Sequence, residues 1–296
     1  ANIGCQAGAT GAKMTTVTLE TGNDVRVESW CELCERLYAN SWQETLMRFR
    51  SNYAFRGLSD KSYDLQTSFS RRCRDYSHLE YHLLRNFSKY AEVPWTGENA
   101  TAWRWLTVAQ HHGLPTRLLD WTYSPFVAAH FATADTDRFD CDGVIWYADY
   151  VKINQMLPSP LADELVRHGA HAFTLEMLDH ALGDIKAFDA LGSDQVLFFE
   201  PPSIDARIVN QFAFFSVMSS PIAQLDRWLA GHPELYGRIV IPRDLKWEIR
   251  DKLDQANITE RILFPGLDGL ASWLTRQYTP RSNAHNPSIQ QRRNES

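Results

Sequence analysis

The sequence predicts an α+β protein in which helices and short buried strands follow one another along the chain. Apolar residues recur at spacings of three and four over 27–38, which is typical of an amphipathic helix. The stretch 53–57, reading YAFRG, is rich in aromatic residues and ends in a glycine, as buried strands often do. With 296 residues, 44% hydrophobic and 12% aromatic, the chain can build a substantial core, so general disorder is excluded.

The same patterns place the remaining elements. Helices are predicted over 79–90, 103–112, 125–131, 161–182 and 245–256. Strands are predicted over 117–121, 143–150, 195–200, 207–217 and 238–241. Ser124 precedes Pro125 and is expected to cap the helix that begins there, while Asn23 or Asp24 is expected to cap the first helix.

The two ends of the chain differ in composition from the rest. Residues 1–13 are small and polar and precede Met14, so we interpret them as a remnant of expression. Residues 279–296 are polar and are predicted to be disordered. Because no repeat or linker interrupts 14–278, this region is predicted to be a single domain.

The charge and cysteine content limit the classes of partner and compartment. A net charge of -6 excludes an overall positive field, so any contact with nucleic acid must be local. Five scattered cysteines are too few for a disulfide framework, and no apolar stretch reaches the roughly 18–20 residues of a membrane span. The sequence therefore predicts a cytoplasmic protein without a membrane partner.

One local basic cluster stands out against this acidic background. It is opposed only by Asp60 and Asp64, and it is either a solvated face or a track for a nucleic-acid backbone. Its members are Arg48, Arg50, Arg56, Lys61, Arg71, Arg72 and Arg74.

The densest group of polar side chains lies in the run 109–133. Asp120, Thr122 and Ser124 alternate with two aromatic residues, so in a strand they would line one face where the next helix begins. Hydroxyl groups and an arginine beside a helix N-terminus suit a phosphate group. The alternative is that Asp120 merely pairs with Arg117 inside the fold and Ser124 merely caps, but the density of the run favours a site.

Other polar positions are less specific. Adjacent residues such as His111 and His112 point to opposite sides of a helix or strand, and no cysteine or carboxylate lies nearby at metal spacing, so no metal is expected. Glu200 and Gln211 border apolar stretches and could hydrogen-bond a sugar hydroxyl. The alternative for Gln211 is that it pins a neighbouring strand.

Four motifs along the chain resemble those of the FRG domain family, and the resemblance runs from about residue 27 to residue 274. They are Phe55-Arg56-Gly57; QHHGLPTRLLDWT from Gln110 to Thr122; Arg207 with Gln211 and Phe214; and LFPGLDG from Leu263 to Gly269.

FRG domains are similar to ADP-ribosyltransferases in the order of their motifs. This resemblance implies a split fold of two small antiparallel sheets with flanking helices around an NAD cleft. Arg56 resembles the arginine that holds the NAD diphosphate, and Thr122-Tyr123-Ser124 resembles the Ser-Thr-Ser signature. No Glu-x-Glu pair is present, so Gln211 or Glu200 would stand in its place, with Asp120 as a further carboxylate.

The function implied by the resemblance is an NAD-dependent mono-ADP-ribosyltransferase that uses NAD as its substrate and needs no metal. The acceptor would be a macromolecule, nucleic acid in preference to protein because of the arginine cluster, and the role would be toxin-like or phage defence in a bacterium, with an antitoxin or regulatory partner. The alternatives are a catalytically silent nucleotide or nucleic-acid binding module and an NAD-consuming hydrolase.

The resemblance also assigns roles to individual residues. The implied catalytic residues are Arg56, Asp120, Gln211, Glu200 and His111, the last as a base on the acceptor side. The implied NAD-binding residues are Arg56, Gly57, Gln110, His112, Gly113, Arg117, Thr122 and Ser124.

Overall fold

A computed structural model describes residues 22, 24–91, 100–192 and 194–280. The predicted expression remnant at 1–13 and residues 281–296 of the predicted tail lie outside the described residues. Thr279, in the described part of that tail, continues the last helix through a hydrogen bond from its Oγ1 to the carbonyl of Thr275 at 2.7 Å.

The strands form two sheets, which confirms the α+β class. The larger sheet has seven strands in the order β1-β9-β6-β4-β5-β8-β7, antiparallel except for the parallel pair β1 and β9, while β2 and β3 form a separate antiparallel pair. Their bounds are β1 Asp24–Arg26, β2 Trp42–Gln43, β3 Arg48–Phe49, β4 Tyr53–Leu58, β5 Leu118–Thr122, β6 Gly143–Asp149, β7 Val196–Phe199, β8 Ala213–Met218 and β9 Tyr236–Ile241.

The large sheet is nearly divided between β4 and β5. These two strands pair at one position, where Phe55 lies opposite Thr122, whereas β4 pairs with β6 at six positions and β5 with β8 at five. The sheet therefore consists of a half with strands β1, β9, β6 and β4 and a half with strands β5, β8 and β7. The two halves remain joined at one residue pair in a single seven-stranded sheet.

Helices cover the sheet on both faces. Their bounds are α1 Trp30–Tyr38, α2 Ser68–Cys73, α3 Glu80–Tyr90, α4 Ala102–His111, α5 Pro125–Ala132, α6 Tyr150–Gln155, α7 Leu161–His168, α8 Leu175–Leu182, α9 Ile185–Asp189, α10 Ala206–Asn210, α11 Leu225–Ala230, α12 Lys246–Gln255, α13 Glu260–Leu263 and α14 Leu267–Tyr278.

Successive side chains of a strand point to opposite faces of the sheet, and hydrophobic clusters cover both faces. In β6, Ile145 and Tyr147 pack against α1, α5 and α12, while Val144 and Trp146 belong to the cluster on the opposite face. A third cluster covers the other half of the sheet, where Trp103 of α4 and Phe188 of α9 pack on its strands. Both faces of the sheet are thus buried, which leaves the junction between β4 and β5 as a place for a cavity.

The predicted helix over 161–182 is wrong as a single element, because the structure contains α7 and α8. Gly169 adopts a left-handed conformation with φ 58° and ends α7, as glycine often does beyond a helix. Phe173 then forms an isolated bridge with Phe199, and the Thr174 side chain caps α8 by accepting from Met177 N at 3.4 Å. The helical spacing of apolar residues continues across the break, but the backbone between α7 and α8 is not helical.

The predicted strand over 207–217 is wrong in its first half, where the structure has α10. Asp205 caps this helix by accepting from Ile208 N at 3.0 Å, and Phe212, with φ 47°, turns the chain into β8. The alternating apolar residues had suggested a longer strand. Because Asp205 caps a helix here, the chain is helical despite the alternation, and Gln211 lies at the end of that helix.

The start of the first helix also differs from the prediction. Asp24 lies in β1, Asn23 lies outside the described residues, and Ser29 caps α1 by accepting from Glu32 N at 3.2 Å. The cap at Ser124 is confirmed, since its Oγ accepts from Val127 N at 3.4 Å. The other predicted elements agree with the structure to within two residues at each end.

Gly57 is where α5 approaches β4 most closely. A Cβ atom at this position would lie 1.8 Å from the carbonyl oxygen of Ala128 and 2.7 Å from the amide nitrogen of Ala132. No side chain fits between these backbones, so the packing of α5 on the sheet requires glycine here. The packing also fixes the position of the neighbouring Arg56.

We expect Gly57→Ala to destabilise the protein by about 1–3 kcal/mol, because the new methyl group must displace α5. Thermal or urea unfolding measures this change. Gly231→Ala is the matched control, since the backbone there is helical and the nearest atom to an added Cβ is 3.3 Å away. A Gly57→Ala variant as stable as the Gly231→Ala variant would contradict the close packing.

A buried network of charges ties the C-terminal helices to α5. Arg276 donates two hydrogen bonds to Glu260 and two to Asp254, all between 2.6 and 2.7 Å. Arg250 contacts His130 Nδ1 at 2.7 Å. Burial, with the Arg250 charge, lowers the pKa of His130 to about 3, while the hydrogen bonds from Arg276 overcome the effect of burial and lower the pKa of Glu260 to about 2.

These pKa shifts predict a loss of stability in acid. Between pH 6.5 and about 3 the unfolded chain protonates His130 while the folded protein does not, so the free energy of unfolding falls as the pH falls, by up to about 1.4 kcal/mol per pH unit. Below about pH 4.5, protonation of Glu260 in the unfolded chain adds to the loss. Urea unfolding at pH 7, 6 and 5 measures the slope, and His130→Gln should reduce it. An equal slope in both proteins would refute this account.

Candidate functional site

A cavity of about 240 Å³ opens where β4 and β5 diverge. Its wall combines apolar residues with seven polar side chains that come from four elements and their ends. The polar residues are Arg56, Gln110, His111, Asp120, Thr122, Arg207 and Gln211, and the others are Phe55, Gly57, Trp121, Phe131, Ile208, Ala213 and Phe215.

Arg56 spans the divergence between the two strands. Its Nη1 donates to the backbone carbonyl of Asp120, and its Nε is inaccessible to solvent and has no hydrogen-bond partner among the described residues. Burial lowers the pKa of Arg56, the Asp120 charge raises it, and the nearby Arg71 charge lowers it. The guanidinium therefore lies in the cavity wall with donor groups that the protein does not use, as an anion-binding group would.

Gln110 orients the carboxylate of Asp120. The Nε2 atom of Gln110 lies 3.0 Å from Oδ1 and 2.9 Å from Oδ2 of Asp120, while Gln110 Oε1 accepts from Thr116 Oγ1. The bond from Thr116 fixes which end of the amide faces Asp120. The end of α4 and strand β5 thus hold one carboxylate at a defined place on the wall.

Thr122 and Gln211 are joined on the opposite side. Thr122 Oγ1 donates to the carbonyl of Gln211 at 2.7 Å and accepts from Ser124 N at 3.0 Å. Gln211 Nε2 donates to the carbonyl of Leu263 at 2.9 Å. With its amide nitrogen bound to the backbone, Gln211 can offer its Oε1 to a ligand as an acceptor.

Asp205 connects His111 to helix α10. Its Oδ2 pairs with His111 Nε2, and its Oδ1 accepts from Ile208 N at 3.0 Å as the N-cap. Burial lowers the pKa of His111, the Asp205 charge raises it, and the charges of Arg207 and His112 lower it. One carboxylate therefore positions both a histidine and the short helix that carries Arg207.

Arg117, which the resemblance assigned to NAD binding, lies outside the cavity. Its guanidinium is buried between Glu80 and Asp189, with Nε 2.8 Å from Glu80 Oε1, and these partners raise its pKa against the effect of burial. The alternative partner considered from the sequence, Asp120, does not pair with it. In the structure Arg117 joins strand β5 to helices α3 and α9.

Four further predicted site residues also lie away from the cavity lining. Glu200 accepts from the Tyr123 hydroxyl at 2.9 Å, and Ser124 serves as the cap of α5. His112 and Gly113 are exposed beyond the end of α4, where the His112 ring meets the His111 ring edge-on at 5.1 Å.

Sequence reasoning did not assign three residues of the site. Phe131, from the buried face of α5, supplies an aromatic wall. Arg207 was noted only as part of a motif, and its guanidinium lies 5.1 Å from the centre of the Phe264 ring. Asp205 was missed because α10 was predicted as a strand, although an aspartate three residues before Ile208 matches the pattern of an N-cap.

The described residues contain no candidate metal centre and no candidate membrane span. No group of three or more His, Cys, Asp or Glu side chains in this part of the chain could hold a metal ion. None of the helices in the described ranges has the length and apolar character needed to cross a membrane.

Residues 51–141 match the model of the FRG domain. The matched FRG segment is less than half of the chain and contains the first two motifs, including Arg56, Gln110 and Asp120. No curated protein matches the chain, and no solved structure matches it.

The two later motifs lie outside the matched FRG segment, but the third lines the same cavity with Arg207 and Gln211, and the fourth contacts the third. Asn210 Nδ2 donates to the carbonyl of Ile262 at 2.7 Å, next to the bond from Gln211 to Leu263. Helix α10 and the turn after α13 are thereby fastened to each other. The first three motifs thus contribute residues to the cavity lining, and the fourth motif contacts the third through Leu263 and Phe264.

We expect Asp205→Asn to lower the pKa of His111 further, because the variant removes the negative charge that raises it. Asparagine is also a good N-cap, so α10 should remain folded. Titration of the histidine signals by NMR measures the shift, with the exposed Asp140→Asn as control. A His111 pKa equal to that of the unmodified protein would show that the ion pair does not form.

Proposed function

We propose that the protein is an NAD-dependent mono-ADP-ribosyltransferase that acts on a macromolecular acceptor. The observation that supports this most is that one cavity wall presents both the Arg56 guanidinium and the Asp120 carboxylate. A cation for phosphate and a carboxylate for a developing positive charge are the two groups that cleavage of NAD requires. Arg56 also belongs to the FRG segment.

Arg56 and Arg207 would hold the diphosphate of NAD. Both guanidinium groups line the cavity, and planar guanidinium groups can bind phosphate oxygens in pairs. The Arg71 charge near Arg56 adds to the positive potential there.

The dimensions of the cavity suit one end of the dinucleotide. At about 240 Å³ it is smaller than the ~300–1,000 Å³ of sites that enclose a drug-sized ligand. The half-buried ring of Phe131 offers apolar surface to the nicotinamide ring. The nicotinamide ribose would lie inside, and the adenosine would extend from the mouth.

In the reaction, the bond between the nicotinamide nitrogen and the ribose C1′ breaks, and nicotinamide leaves with the bonding electrons. The Asp120 carboxylate stabilises the positive charge that develops on the ribose. Thr122 and the Oε1 of Gln211 orient the ribose hydroxyl groups. Asp120 is preferred to Glu200 for this role because Glu200 lies outside the cavity lining and binds Tyr123.

His111 would act as the base for the acceptor. The acceptor group attacks C1′ and its proton passes to the imidazole, whose positive charge Asp205 then stabilises. The lowered pKa of His111 keeps the ring neutral near pH 7, so it can accept this proton. Asp205 acts through His111 and is a positioning residue.

One observation favours a catalytically silent nucleotide-binding module as the second candidate. Asp120 is the one carboxylate that lines the cavity in the described part of the chain, and Gln110 already contacts both of its oxygens. A carboxylate in this state stabilises positive charge less strongly than an unpaired one. If water were the acceptor, the same site would act as an NAD hydrolase.

Incubation with labelled NAD and separate pools of protein, RNA and DNA, following nicotinamide release and label transfer, tests the proposal. We expect Asp120→Asn to reduce NAD turnover by about 10²–10³-fold, because the variant loses the stabilising charge. Arg56→Lys should weaken NAD binding, because lysine cannot form paired bonds to phosphate.

Glu200→Gln is the matched control and should retain full turnover. Circular dichroism spectra verify that each variant is folded. Release of nicotinamide without label on any pool would favour the hydrolase. Binding of NAD without release would favour the silent module, and a protein that neither binds nor cleaves NAD would refute the proposal.

A further inference from the structure

Five exposed cations form a basic face on the helices beside the cavity. We define the basic face as Arg71 and Arg72 of α2, Arg74 at the start of the following 3₁₀ turn, and Arg85 and Lys89 of α3. The whole chain carries a net charge of -6, so this concentration of positive charge departs strongly from the average.

Few carboxylates accompany the cations of the basic face among the residues that the structure describes. Within 71–90 the acidic residues are Asp75, which is exposed, and Glu80, which is buried in its ion pair with Arg117. No ion pair involves any of the five cations in the described ranges. Lys61, by contrast, pairs with Asp142 at 3.0 Å. The charge of the basic face is therefore available to a ligand.

The basic face comes near the cavity at Arg71. The charge of Arg71 acts on Arg56 in the cavity wall. On α3, Arg85 and Lys89 are one helical turn apart and point outward, while Leu84 is buried and α3 packs against α4. Helix α4 in turn ends at Gln110 and His111 of the cavity.

Two exposed tyrosines accompany the cations. Tyr76 is 64% exposed and Tyr90 is 74% exposed, and the Nζ of Lys89 lies 5.1 Å from the centre of the Tyr90 ring. Exposed rings between unpaired cations suit unpaired nucleic-acid bases, which stack on aromatic side chains while the cations bind phosphates. A duplex would offer phosphates but no free base faces.

The structure divides the basic cluster predicted from the sequence into separate parts. Arg48 lies on the small sheet with Arg50 directly after it, Arg56 lines the cavity, and Lys61 pairs with Asp142. Only the last three members, Arg71, Arg72 and Arg74, belong to the basic face. Arg85 and Lys89, which the cluster did not include, extend it.

We propose that the basic face binds single-stranded nucleic acid and presents it to the cavity as the acceptor. This inference rests on the proposed function, because it names the class of acceptor for that reaction. Phosphates contact the cations, bases stack on Tyr76 and Tyr90, and the strand leads a nucleophilic group towards His111.

The test uses Arg72→Gln, Arg74→Gln, Arg85→Gln and Lys89→Gln together in the full chain, leaving Arg71 in place because of its closeness to Arg56. Fluorescence anisotropy measures binding of a labelled 20-nucleotide single-stranded RNA, the matching DNA strand and the duplex between 50 and 200 mM NaCl. The matched control replaces four cations elsewhere by glutamine, namely the exposed Arg227, Arg243 and Arg261 and the half-exposed Lys252.

We expect the variant to bind single strands at least tenfold more weakly than the control variant at 50 mM NaCl. The slope of log affinity against log salt concentration should fall by up to about 2.8, since each contact to a single strand contributes about 0.7. Tighter binding of single strands than of the duplex should depend on Tyr76 and Tyr90, and their replacement by alanine should abolish the preference.

Equal binding by the two quadruple variants would overturn the proposal, as would label transfer to protein alone. Calorimetric titration of the parent protein with NAD separates the two claims. If the variant loses RNA binding and the parent does not bind NAD, the basic face is retained as a binding surface and the transferase is refuted. NAD turnover in the parent, together with equal RNA binding by the two quadruple variants, would retain the transferase and refute the basic face as the binding surface.

Discussion

Antiparallel strands that diverge lose the hydrogen bonds between their backbones. The divergence of β4 from β5 is the feature of this fold on which the cavity and the position of Arg56 depend. The strands pair only where Phe55 lies opposite Thr122, and beyond that point the Arg56 side chain donates to the carbonyl of Asp120. A side chain thus replaces a bond of the sheet. The same divergence opens the cavity, so the polar group that bridges the gap also becomes part of its wall.

The shape of the cavity depends on bonds from side chains to the backbone and to one another. Gln110 holds Asp120, Gln211 binds the carbonyl of Leu263, and Asp205 holds both His111 and the start of α10. The bonds of Gln211 with Leu263 and of Asp205 with His111 join segments that are distant in the sequence. Groups held in this way need little rearrangement when a ligand binds, which is the condition for effective stabilisation of charge in a reaction.

Buried ion pairs connect this site to the rest of the fold. Arg117 with Glu80 and Asp189 lies behind β5, and Arg276 with Glu260 joins the helices that follow the site. Removing charges from water costs free energy, so such pairs add little net stability, but loss of one partner leaves the other charge buried and unpaired. The pairs therefore specify which helices meet at the cavity more than they stabilise the fold as a whole.

The sequence alone determined the α+β class, most elements to within two residues, and the candidate residues Arg56, Gln110, Asp120 and Gln211, because periodicity and motifs are local properties. Only the tertiary structure decided that Arg117 and Glu200 lie outside the cavity lining and that Asp205 pairs with His111. A carboxylate or guanidinium has the same local pattern whether it lines a site or pairs inside the fold. Its neighbours come from distant segments, and the way the sheet halves and helices pack decides which of them it meets.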